Sequence, residues 1–544
     1  MGSVTVGSYL IGRLAELGVR HVFGIPGDYV LAFYQQLERS ELAVINSADE
    51  QGAGFAADAY ARVNGIGAVC VTYGVGGLKL VNSTAQAYAE KSPVIVISGG
   101  PGMAERRHDP LLHHKIRSFE SQLDVFREVT CAAAIITERE SAQRDIDAAL
   151  AACLRRSQPV YLELPRDLVA ASIEVRPRQE ERLQPDAAAL QEAIAETTAL
   201  VAAARQPVII AGEEVGRFRV ADQLAALLEH SGIPFATTTL SKSVVDETHP
   251  LFVGVYEGAI GHETTRRYVE DSDCLLILGA NLSDATLGIN TARLDPVVTI
   301  ASSSSQTWVH RHTYPEVTLI DFVNGLAQAL PSRPRPAIQN PPRPAAWRPD
   351  SAQQVTVGRL FQCLNDFIGP GTTVVADVGD ALFAGIDLVV EAWDFIAPAY
   401  YLSLGFAVPG AVGVQLADPD TRPLVLVGDG AFQMTGMELT TVVRYGLDPI
   451  VILLDNSGYG TERPMLDGRF NDLVPWRYAR VPEVLGGGRG YEIRTEGELD
   501  AALQAARDDR SGFSLLHVHL EQHDQSPALQ RLTALMAERV RQGG

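Results

Sequence analysis

Two polar clusters punctuate the stretch GDGAFQMTGMELTTVVRYGLDPIVILLDNSGYGTE, residues 428–462. Asp429 follows the aliphatic run 423–427, and Asn456 follows the aliphatic run 450–454. Between them Met434, Glu438, Val442 and Val443 fall near helical spacing, with Gly446 placed to stop the helix. Strand, helix and parallel strand put both clusters at the carboxyl edge of one sheet. Neighbouring strands lie about 4.8 Å apart, so Asp429 and Asn456 can reach one ion. A hard cation with few protein oxygens and a phosphate partner points to Mg²⁺. Gly428 and Gly430 let the backbone approach a diphosphate, and the helix start adds amide dipoles. A lone Gly-Asp-Gly would be a tight turn; the Asn after the next strand, with Gly-Tyr behind it, favours the clamp.

Three other groups carry reactive side chains. Glu50 heads a helix whose small residues, Gly52, Ala53, Gly54, Ala56 and Ala57, permit close packing. Taken alone it reads as a carboxylate stabilised at a helix start. Asp28 ends FGIPGD (23–28), and His113 and His114 adjoin in LLHHK (111–115). Two adjacent histidines on a loop are ordinarily a solvated pair.

The elements that must position these groups alternate helix and strand. In residues 1–180 short apolar strands are expected at 21–25, 43–46, 68–72, 94–98 and 160–164, nearly all followed by polar or glycine-rich clusters. A second block, 190–335, has strands expected at 207–211, 234–237, 274–278, 297–301 and 317–320. It holds few catalytic candidates, since Glu213, Glu214 and Asn281 suit turns and caps; a structural or regulatory role is expected. Seven prolines in 331–349 suit an extended linker to a third block, 350–544. There the strands are expected at 373–376, 424–427, 450–454 and 515–519, before a final amphipathic helix over 526–542. Three doubly wound α/β domains with largely parallel sheets follow, with ligand chemistry on the carboxyl rims.

Composition narrows the function classes. The 544 residues are 46% hydrophobic and carry a net charge of −21, which argues against nucleic-acid and anionic-membrane partners. Five cysteines without C-x-x-C spacing supply neither a disulfide framework nor a metal site. No apolar run approaches the roughly 20 residues of a membrane span, and the first residues lack a signal pattern. A cytoplasmic enzyme is the expectation.

In combination the motifs resemble a known family. The GDG…N clamp is similar to the diphosphate-and-metal signature of thiamine-diphosphate (ThDP) enzymes. SADEQGAGFAADAYAR (47–62) resembles the segment whose glutamate contacts N1′ of the aminopyrimidine. FGIPGDYV (23–30), LLHHK and GYGTE (458–462) extend the likeness to 2-oxo acid decarboxylases, which act on pyruvate, indolepyruvate, phenylpyruvate or branched-chain 2-keto acids. The histidine pair is the most discriminating feature.

The resemblance implies a pyrimidine-binding first domain, a diphosphate-binding third domain, and a site completed between chains of a homodimer or homotetramer. It implies that Glu50 activates the cofactor and that Asp28, His113, His114 and Glu462 handle protons. Asp429, Asn456 and the Gly458 carbonyl would hold Mg²⁺. Asp380, Ala381, Gly430 and Ala431 would line the diphosphate. Leu404 would support the bent cofactor, with backbone groups of Leu402 and Leu404 on the aminopyrimidine. The implied reaction is non-oxidative: a 2-oxo acid gives an aldehyde and CO₂.

Several positions depart from the family pattern. Asp455 stands where a first Asn is frequent, Ala381 and Ala431 replace hydroxyl residues, and Leu402 takes a frequent glycine position. Val378, Leu382, Phe383 and Thr461 are the expected substrate-side positions, with Leu529, Leu532 and Met536 as possible lids. Leu382, where pyruvate-preferring relatives often carry a large aromatic, favours aromatic, branched or longer 2-oxo acids. A pyruvate-specific decarboxylase, a carboligase of the acetolactate-synthase type and a non-catalytic subunit are the alternatives; no flavin is expected.

Overall fold

A computed structural model describes residues 3–178, 186–339 and 345–542. Residues 340–344 of the expected linker lie outside this range; the flanking residues 331–339 and 345–350 form neither helix nor strand. Three sheets organise the chain. The first sheet has six parallel strands in the order Ala43–Asn46, His21–Gly24, Gly67–Val71, Val94–Gly100, Val160–Pro165, Ala132–Ile135. The third has six in the order Phe395–Ile396, Thr372–Ala376, Arg422–Gly428, Ile450–Asp455, Ser514–His519, Arg489–Ile493. Numbered along the chain, both follow the order 2-1-3-4-6-5, so the outer blocks share one topology. The five expected strands of the first block and the four of the third are all present, with boundary shifts of a residue or two.

The middle sheet departs from expectation at both edges; at one, Phe252–Val255 adds a parallel strand that was not expected. At the other, residues 317–320 do not form a strand; the helix Leu319–Ala329 begins there instead. Val317, Leu319, Phe322, Val323 and Leu326 are all buried at helical spacing, and Thr318 Oγ1 donates to the Asp321 carboxylate at 2.7 Å. The sheet edge is taken by Thr307–Val309 and His312–Tyr314, which add antiparallel.

The outer blocks meet through two helices. Glu50–Asn64 is rich in Ala and Gly, and Ala407–Ala417 is equally small-residued. Their approach is so close that a Cβ on Gly413 would lie 2.1 Å from the Ala56 carbonyl oxygen. Phe55 and Phe406 meet edge to face at 5.9 Å, inside one buried cluster that draws from both sheets. Burying this much apolar surface fixes the two carboxyl rims relative to each other.

Candidate active site

Strand register builds the clamp. Gly428 pairs with Leu454 in parallel register, so Asp429 and Asp455 emerge side by side and Asn456 follows at the same edge. The intervening helix is broken: Asp429–Thr435 is followed by a 3₁₀ turn, Gly436–Glu438, and then Leu439–Arg444. Gly436 lies on the Phe432 ring, where a Cβ would come within 2.6 Å, and this crowding accompanies the break. Gly428 faces open space, as a backbone that must meet a ligand requires, whereas a Cβ on Gly430 would lie 2.7 Å from Tyr459. Gly430 is thus demanded by the tyrosine ring. Ala431 is buried behind it.

The electrostatics of the clamp ask for a cation. Burial, with the Asp455 carboxylate close by, pushes the Asp429 carboxyl up to about 7. Burial acts most strongly on Asp455 too, but the hydrogen bonds from His517 and the Ser457 N–H, with the nearby imidazoles of His517 and His519, together leave that carboxyl below its ordinary value. A divalent ion on Asp429 would relieve this crowding of acids. The Asn456 amide turns its nitrogen toward Gly460, where a Cβ would come within 2.3 Å, and its oxygen away. These donors are all oxygen, which fits Mg²⁺. The Gly458 carbonyl accepts from the Gly460 N–H at 3.0 Å, and a Cβ on Gly458 would strike the Asn471 carbonyl at 2.1 Å.

Asp380 does something the motif did not indicate. Its half-buried carboxylate accepts from the Ser526 hydroxyl at 2.6 Å and the Ser526 N–H at 3.2 Å. Ser526 Oγ in turn accepts from the Leu529 N–H, capping the final helix Pro527–Gln542. Ala381 and Leu382 follow in the short helix Asp380–Phe383, both buried. Leu382, Phe383, Leu529 and Leu532 belong to one core cluster with Met536 against it, so the final helix fills the space beside Leu382. Thr461 Oγ1 faces Gly379, 3.3 Å from where its Cβ would be.

The segment 402–407 hangs on a residue that sequence reading passed over. Asp377, wholly buried, accepts from the backbone N–H groups of Val378 and Gly405 at 3.0 Å and of Ala407 at 2.9 Å. It thereby fixes Leu404, which lies against the core joining the outer blocks. Leu402 adopts φ 59°, the left-handed region that glycine occupies freely, which gives a physical reason for the family's preference there. A buried Asp just past a strand is the signal that could have flagged Asp377.

The first block carries a separate cluster. Asp49 caps the helix Glu50–Asn64, accepting from Gln51 N–H at 2.8 Å, which frees Glu50 from that task. Lys79 forms ion pairs with both carboxylates and lies 3.0 Å from Glu50. Lys91 instead pairs with Glu214 of the middle block, and Glu213 accepts from Asn281, so those three middle-block residues serve structure. The turn 74–77 touches both Glu50 and His114. Gln122 fastens it by accepting from Gly74 N–H at 2.6 Å while donating to Ser98 and Tyr161.

Asp28, His113 and His114 converge on the same rim. His113 Nε2 lies 2.8 Å from the Asp28 carboxylate, and the His113 ring stacks on Tyr29 at 4.7 Å. His114 meets His113 edge-on at 4.8 Å and is itself in the left-handed region, φ 65°. Glu462 stands in the third block, its N–H donating to the Tyr459 carbonyl. Among the described residues no hydrogen bond or ion pair joins the Asp28–Glu50–His113–His114 group to Asp429, Asn456 or Glu462 within the chain.

The paired α/β topology and the two rims define a ThDP-dependent enzyme, and family comparison agrees. Residues 4–125 match the thiamine pyrophosphate enzyme N-terminal TPP binding domain, 194–330 the central domain and 377–518 the C-terminal TPP binding domain. The chain is 36% identical to the indole-3-pyruvate decarboxylase of Azospirillum brasilense over 96% of both chains. It is 33% identical to the alpha-keto-acid decarboxylase of Mycobacterium avium (95% of this chain, 94% of the relative), and 33% to that of Mycobacterium leprae (97% and 95%). The chain belongs to the ThDP-dependent 2-oxo acid decarboxylases. No helix of the described residues is long and apolar enough to cross a membrane.

Proposed function

We propose that the chain decarboxylates 2-oxo acids at a site formed by the first block of one subunit and the third block of another. The observation that carries this reading is that, among the described residues, no hydrogen bond or ion pair joins Asp28, Glu50, His113 and His114 to Asp429, Asn456 or Glu462 within one chain. A homodimer is the minimum that would complete the site, and a homotetramer satisfies it equally. The blocks take the boundaries 1–180, 190–335 and 350–544, and the location is cytoplasmic.

When bound, ThDP supplies an electron-accepting ring for the charge released as CO₂ departs. The chain's own residues then have distinct tasks. Glu50, held by Lys79 and not engaged in capping, is available to the aminopyrimidine. Leu404, positioned by Asp377, supports the cofactor, with Leu402 and Leu404 backbone groups beside it. Asp429, Asn456 and the Gly458 carbonyl hold Mg²⁺; Asp380, Ala381, Gly430 and Ala431 border the diphosphate. Of these, Asp380 acts through the cap on the final helix. Asp28, His113, His114 and Glu462 hold and deliver the protons that free the aldehyde.

The substrate is a 2-oxo acid with an aromatic, branched or longer aliphatic side chain. Support comes from the relative named for indole-3-pyruvate and from the absence of a bulky aromatic at Leu382. The tight packing of Leu382 against the final helix favours pyruvate, which is the second reading. Comparing kcat/KM for pyruvate, 2-ketoisovalerate, phenylpyruvate and indolepyruvate tests the choice: pyruvate as the best substrate would refute the wide pocket. Acetolactate or acyloin in place of aldehyde would instead mark a carboligase.

A further inference from the structure

One cluster of potential metal ligands extends beyond the Asp455–His517 contact already described and is assigned no role above. At an edge of the third sheet Asp455 pairs in register with His519, and Glu492 pairs with His517. His517 and His519 are two residues apart on one strand, so all four side chains leave the sheet on the same face. His517 Nε2 lies 2.7 Å from Asp455 Oδ2, and His519 Nδ1 lies 3.9 Å from that same oxygen. The far nitrogens turn to Glu492: His519 Nε2 is 2.6 Å from Oε2, and His517 Nδ1 is 3.6 Å from Oε1. The two imidazoles are 4.0 Å apart.

Hydrogen bonding alone leaves this arrangement incomplete. The His517 side chain is 3% exposed, yet its Nδ1 is buried without a hydrogen-bond partner. Two histidines with inner nitrogens converging on one carboxylate and outer nitrogens facing another reproduce the carboxylate–histidine–metal pattern. Donor atoms around a four-coordinate ion with bonds of roughly 2.0–2.1 Å stand about 3.3 Å apart. The observed separations of 2.7 and 3.9 Å bracket that value, so small side-chain shifts would suffice.

We propose that Asp455 Oδ2, His517 Nε2 and His519 Nδ1 bind a divalent transition ion of the zinc, cobalt and nickel class, with Glu492 as the outer carboxylate. Two imidazoles and one carboxylate select a borderline ion over Mg²⁺, and three protein ligands leave room for water. The site adjoins the all-oxygen clamp but uses a different donor set: Asp455 directly precedes Asn456, and its carboxylate lies beside that of Asp429.

The test is a titration of the full chain, saturated with ThDP and Mg²⁺, with Zn²⁺ by calorimetry and with Co²⁺ by visible absorption. One Zn²⁺ per chain and the intense bands of low-coordinate Co²⁺ are expected. His519→Ala should abolish both. Glu492→Gln, a milder change at a half-exposed position, should weaken Zn²⁺ binding about 10- to 100-fold. Asp28, His113 and His114 also gather within ligand distance, so His113→Ala serves as the control and should leave Zn²⁺ binding unchanged. The proposal is overturned if wild-type chain takes up no Zn²⁺, if uptake survives His519→Ala and Glu492→Gln at full affinity, or if His113→Ala abolishes it.

Discussion

His113 Nε2 sits 2.8 Å from the Asp28 carboxylate, with the ring stacked on Tyr29. The pair joins a group that can carry a proton to one that can hold it in place, at a rim shared with Glu50. Removing either partner should slow the proton-dependent steps that release the aldehyde. Asp28→Asn and His113→Gln are each expected to lower aldehyde formation by about 10²-fold or more. CO₂ and aldehyde are measured in parallel, since a step after CO₂ loss raises the share of acyloin. Unchanged aldehyde turnover in both variants would remove the pair from the mechanism.

Glu50→Gln should fold normally, because Asp49 rather than Glu50 caps the helix. Its far-ultraviolet dichroism and melting temperature are expected to match wild type, while decarboxylation falls by at least about 10²-fold. Near-normal turnover would overturn the assigned role.

The division of the site between chains predicts complementation. Glu50→Gln and Asp429→Asn chains, each inactive alone, should recover activity when unfolded together and refolded as a mixture. A mixed dimer carries both lesions in one site and leaves the other site intact. Failure to recover any activity, with mixed dimers demonstrated by mass spectrometry, would place both halves of the site in one chain.

Asp377 should leave a mark on the pH dependence of stability. Burial pushes its carboxyl up from the ordinary 3.8 to about 6. Between those values the folded chain keeps a proton that the unfolded chain has lost, so this group's contribution to stability declines as pH rises through the window. Asp377→Asn lacks that decline. Urea midpoints at pH 4.5 and 6.5 should therefore differ less in the variant than in wild type; equal differences would show that Asp377 does not titrate there. The variant should also bind ThDP more weakly, since it loses an acceptor for the segment carrying Leu404.

Leu402→Ile tests the strained segment. Volume is kept, but a β-branched side chain fits poorly at φ 59°. Leucine already bears the general left-handed penalty, and β-branching adds to it, so a lower denaturation midpoint is expected. An unchanged midpoint would show that the segment relaxes.

Much of this was legible from local pattern. The aliphatic runs before Asp429 and Asn456 became neighbouring parallel strands because length, flanking glycine and β-branched content all agreed. Segment 317–320 misled because a short apolar run does not distinguish a strand from the first turn of a buried helix; the Thr318–Asp321 contact decides it. Asp377, Gln122 and Tyr29 were missed because their importance lies in partners far along the chain, such as Gly405, Gly74 and His113. Asp380 looked like a diphosphate neighbour, and only the fold reveals its bond to Ser526, 146 residues away. The histidine–carboxylate cluster at 455, 492, 517 and 519 was invisible for the same reason: three strands bring it together.

The central claim is that the chain uses ThDP to turn a 2-oxo acid into an aldehyde. The most direct measurement is CO₂ and aldehyde yield from phenylpyruvate with ThDP and Mg²⁺ supplied together and with each withheld after dialysis against chelator. The account predicts equal yields of CO₂ and phenylacetaldehyde with both present, and loss of both products when either is withheld. Turnover that persists without ThDP, or CO₂ release with acyloin as the main product, would contradict it.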